Sequence, residues 1–88
     1  MAKSNRDDRF DKLIDIASTS NFSEGTRANA LIHLYFKLQS NTTANQNHIK
    51  SRLEQLSQDI NSSQTLEQHE KDFLNINIMQ IINSLQGI

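Results

Sequence analysis

The chain has 88 residues, enough for one domain around one modest core. It has no Cys, no Pro and two Gly, which excludes a disulfide framework or thiolate zinc site and disfavours a turn-rich β-sandwich. A formal net charge of −1 supplies no strong field for nucleic acid or a membrane surface. No secretion-signal pattern opens the sequence and no apolar run approaches a bilayer span, so a cytoplasmic location is expected, with no membrane partner.

Residues 1–5 are expected to fray. Asp7 and Asp8 suit a helix start, against the positive end of the dipole. Phe10, Leu13, Ile14 and Ala17 then mark one face, predicting a helix over about 5–18. The other side interleaves Asp7, Asp8, Asp11 and Asp15 with Arg6, Arg9 and Lys12, a pattern suited to ion pairs three and four residues apart. Ser18-Thr19-Ser20-Asn21 breaks the helix, because short polar side chains compete for backbone hydrogen bonds.

Asn21 with Glu24 has the form of a capping box, and Ser23 is the competing cap. A second helix follows over about 23–39, with Ala28, Leu31, Tyr35 and Leu38 in one stripe and Ile32, Leu34 and Phe36 broadening it. Gly25 in its first turn has no explanation in the sequence beyond close packing. After the polar loop Ser40 to Asn47, with Thr43 and Gln46 as a cap pair, a third helix is predicted over about 44–60. Its apolar stripe is narrow: Ile49, Leu53, Leu56 and Ile60.

Thr65 with Gln68 offers a cap for the last helix, predicted over about 65–86. Leu74, Ile78, Ile81, Leu85 and Ile88 line one face at steps of four, three, four and three. Asn75-Ile76-Asn77-Ile78 alternates like a strand, but a lone strand among helices has no partner. The expected fold is therefore all-α: one domain, a small bundle of four helices, dimeric through the last. The second and last helices are the most apolar and should touch. Phe73, Ile76, Met79, Ile82 and Leu85 exceed what three small helices can cover, so they form the expected dimer interface. Asn75 and Asn83 would sit near that seam.

Catalytic patterns are missing. His33, His48 and His69 match no helical metal motif such as H-E-x-x-H, and no nucleophile elbow or phosphate loop occurs. No catalytic residue, metal or cofactor is therefore expected. A nucleic-acid reading rests on the start of the third helix. There Asn45, Asn47 and His48 would reach base edges and Lys50 and Arg52 would contact phosphates. It ranks second, because few cations stand beside Glu54 and Asp59.

From Ser18 to Asp59 the layout resembles the YmgB/AriR family of small biofilm and acid-resistance regulators. The shared features are Ser18-Thr19-Ser20-Asn21 followed by Phe22 and Glu24, an apolar helix, an Asn-rich loop ending Asn47-His48-Ile49, then Leu53 and Leu56. A polar break and a final apolar helix complete the likeness. The third helix is more polar here between Lys50 and Glu54, and the last is longer and richer in Ile and Asn. The resemblance implies a bacterial all-α homodimer that regulates by contacting proteins or DNA. The expected function is a small non-enzymatic regulatory or adaptor protein, with itself and an unidentified protein as partners. A DNA-binding transcriptional regulator is the alternative.

Overall fold

The computed structural model describes residues 5–40 and 46–86. They form four helices: α1 (Asn5–Ser18), α2 (Glu24–Gln39), α3 (Gln46–Asn61) and α4 (Gln68–Gln86). The chain is an all-α four-helix bundle. Each helix packs on two others, α1 on α2 and α3, and α4 on α2 and α3, so the ring order is α1, α2, α4, α3. The expected contact between the two most apolar helices, α2 and α4, is therefore made.

The core follows from the apolar spacing. Phe10, Ile14 and Ala17 of α1 meet Ala28, Leu31, Leu34 and Leu38 of α2. Ile49, Leu53, Leu56 and Ile60 of α3 meet Leu74, Ile78, Ile81 and Leu85 of α4. Steps of three and four keep these side chains on one side of each helix, and burying that side is what holds the bundle closed. The period-two run at Asn75 is helical throughout.

Helix ends depart from expectation in informative ways. At α2 the cap is Ser23 and not Asn21, with the Ser23 hydroxyl accepting the Thr26 N–H at 3.2 Å. At α4 the cap is not Thr65. The Ser63 hydroxyl accepts the N–H groups of both Thr65 and Leu66 at 3.2 Å, which holds that stretch in a turn. The helix opens only at Gln68, where Glu70 reaches back to accept the Glu67 N–H at 2.9 Å, half of a capping box. Thr43, Ile88 and the first four of residues 1–5, the stretch expected to fray, lie outside the described residues; Asn5 opens α1. Gly25 is not a close-packing glycine: a Cβ there would meet nothing within 4 Å.

Candidate functional site

Two surfaces differ in kind. One is the seam between α1 and α3, closed by charge. Arg52 Nη1 donates to Asp11 Oδ1 at 3.0 Å and Nη2 to Asp15 Oδ1 at 2.9 Å. His48 Nε2 lies 3.0 and 3.2 Å from the two Asp11 oxygens. Asp11 and Asp15 stand one turn apart on α1, and His48 and Arg52 one turn apart on α3, so the two pairs meet rung to rung. Burial works to raise the Asp11 carboxyl. The hydrogen bonds and charges of Arg52 and His48 outweigh it and hold Asp11 below the ordinary carboxylate range. Burial also works against the Arg52 charge, but Asp11 and Asp15 override it and raise Arg52 above its ordinary value.

This arrangement revises two sequence readings. Among the described residues Asp11 and Asp15 make no pair within α1; they tie it to α3. Any pairing of Arg6, Asp7 and Asp8 lies outside the described side chains. His48 and Arg52, expected to face nucleic acid, are turned onto the α1 carboxylates. Asn47 is exposed and Lys50 half-buried one turn from Glu54. Asn45 lies outside the described residues. His48 and Arg52 at the start of α3 thus meet the bundle's own acids, while Lys50 makes no ion pair among the described residues. His33 is exposed, and His69 lies 3.6 Å from Glu67 on the surface. Among the described residues no group of three or more His, Asp or Glu is placed to hold a metal.

The second surface is apolar. On α4, Phe73, Ile76 and Met79 are 44%, 65% and 50% exposed. They recur every third residue and stand away from the core stripe. Ile82 and Leu85, expected beside them at the dimer interface, are only 6% and 7% exposed and belong to the core of the single chain. Both belong to the single cluster that all four helices share, and Ile82 stands beside Glu54, Ser57 and Gln58 of α3, where α3 and α4 pack together. Polar links draw the two together: Ser57 donates to the Asn75 amide oxygen at 2.7 Å, and Asn75 donates to Asn61 at 2.8 Å. Asn75 is thereby engaged within the subunit. A groove of about 470 Å³ runs beside Met79, lined by Glu54, Ser57, Gln58, Met79, Ile82 and Asn83. A second, of about 520 Å³, is lined by Asp72, Asn75, Ile76 and Met79.

Sequence reasoning missed one functional candidate, the exposed pair Ile32 and Phe36 on α2. The signal was the width of the α2 stripe, read as core. Among the described residues, no helix is long and apolar enough to cross a membrane. Comparisons with family models, curated proteins and solved structures return no match to this chain.

Proposed function

We propose that this is a small, non-enzymatic, cytoplasmic regulatory or adaptor protein that acts by protein–protein interaction, as a homodimer built on α4. The observation that carries the reading is the row Phe73, Ile76 and Met79, large apolar side chains open to water on a helix whose core side is already filled. Soluble chains seldom leave such a row uncovered, and a second copy covers it with the same row. The resemblance to the YmgB/AriR family points the same way and is part of the proposal.

Light scattering on the eluting protein tests it. A mass near twice that of one chain at tens of micromolar is expected for the wild type, and a single-chain mass for Ile76→Asp. Ile76 is the better probe than Ile82, because Ile82 is needed for the fold of each chain. A wild type that stays monomeric removes the dimer reading. Tight, sequence-specific DNA binding at physiological salt, lost in Lys50→Ala or Asn47→Ala, would replace it with the transcriptional one.

A further inference from the structure

The exposed apolar side chains are not spread evenly round the ring. Among the described residues the six large ones are Phe22, Ile32, Phe36, Phe73, Ile76 and Met79. Five lie on α2 and α4, and Phe22 stands two residues before α2; among the described residues α1 and α3 expose none. The helices that carry them are neighbours. Gln39 Nε2 donates to Ser84 Oγ at 3.1 Å, fixing which side of each helix faces the other. Ile32, Phe36 and Gln39 follow at steps of four and three, so Ile32 and Phe36 share the side of α2 that turns to α4. On α4, Phe73, Asn77, Gln80 and Ser84 follow at four, three and four, so Phe73 shares the side that turns to α2. Ile32, Phe36 and Phe73 therefore border one outer seam, Ile76 stands on the outward side of α4 beside Phe73, and Met79 lies on the other flank, beside Glu54, Ser57 and Gln58 of α3.

We propose that the outer α2/α4 face, Ile32 and Phe36 together with Phe73 and Ile76, closes against the same face of a second copy, two helices on two. This rests on the homodimer reading above and extends it to α2. Area is the first argument. At 1.5 Å per residue α2 and α4 are about 24 and 28 Å long. Side by side at ordinary helix spacing they present roughly 500 Å² per copy. A symmetric contact then buries about 1,000 Å², the lower bound for a specific interface. The α4 face alone offers about half that and falls short. Charge is the second argument. No Asp, Glu, Lys or Arg occurs between Ile32 and Phe36 or between Phe73 and Ile76; Lys37 and Asp72 flank the two runs. A twofold can therefore bring the two faces together without opposing like charges at their centre.

The test compares dimer dissociation constants by sedimentation equilibrium for wild type, Phe36→Asp, Ile76→Asp and Ser51→Asp. Phe36 is 64% exposed, so its replacement spares the core; circular dichroism and urea unfolding confirm that each variant folds. Both Phe36→Asp and Ile76→Asp are expected to weaken the dimer by roughly tenfold or more, and Ser51→Asp, exposed on α3, to leave it unchanged. If Ile76→Asp dissociates a dimer that folded Phe36→Asp leaves intact, α4 alone forms the seam and the extension to α2 is wrong. A wild type that is monomeric at 200 μM overturns both this inference and the reading beneath it.

Discussion

Arg27 carries a cation into the bundle, and among the described residues no carboxylate meets it. It is 5% exposed, and its Nε donates to the Ala17 carbonyl at 2.7 Å. Burial pushes its guanidinium below the ordinary arginine value. The carbonyl belongs to the last turn of α1, where unpaired C=O groups and the negative end of the dipole favour a positive donor. The side chain also fills space along its stem. Arg27→Met keeps the stem and loses the hydrogen bond, so it should cost about 1–2 kcal/mol. Arg27→Ala loses both and should cost about 2–4 kcal/mol. Urea unfolding ranks the two; equal costs would show that the stem contributes nothing. Gly25 is the opposite case. With open space where a Cβ would stand, Gly25→Ala should raise stability by about 0.5–1 kcal/mol, by restricting the unfolded chain. A lower urea midpoint would contradict this.

Between elements, α1 and α3 meet at the Asp11–Arg52–Asp15 contact with His48 at its edge. Its pH dependence has a definite sign. Asp11 is held below its unfolded value, so its contribution is complete above the ordinary carboxylate pKa. It is lost as pH falls through the lowered folded value, in the region below about 4. Asp11→Asn should therefore flatten part of the fall in stability between neutral and strongly acid pH. Parallel slopes for wild type and variant in urea titrations would remove Asp11 from the acid response. This contact was not legible in the sequence as read, because its partners lie 37 and 41 residues apart and each α1 acid has nearer cations. The available signal was an acidic pair and a cationic pair, each one turn apart, on two helices. The helices themselves were legible because apolar steps of three and four fix which side is buried. Their ends were less so, since Ser, Thr and Asn offer several caps in each junction and only geometry selects one. The same limit applies to Ile82 and Leu85: spacing put them on α4, but which part of α4 the other helices cover is set by the packed geometry.

At the scale of the molecule, among the described residues the interhelix ion pairs and the large exposed apolar side chains lie on different helices of the ring. The α1/α3 side is bound by ion pairs; the α2/α4 side carries the exposed Ile, Phe and Met side chains. Salt acts on the two in opposite ways. Exposed ion pairs are screened within about 10 Å at 0.1 M ionic strength and within about 3 Å at 1 M. Apolar contacts are unaffected by screening and are strengthened by excluded salts such as sulfate. A dimer closed through α2 and α4 should thus keep its dissociation constant, within a factor of about three, from roughly 0.05 to 0.5 M sodium chloride, and tighten in sodium sulfate. Over the same chloride range the difference in unfolding free energy between wild type and Arg52→Ala should shrink, because the pairs it removes are partly solvated. Sedimentation and urea unfolding across one salt series read both effects. A dimer that falls apart as chloride rises would place charged groups in the seam. The α1/α3 side, with its acids and its Arg and His, would then be the surface that meets the second copy.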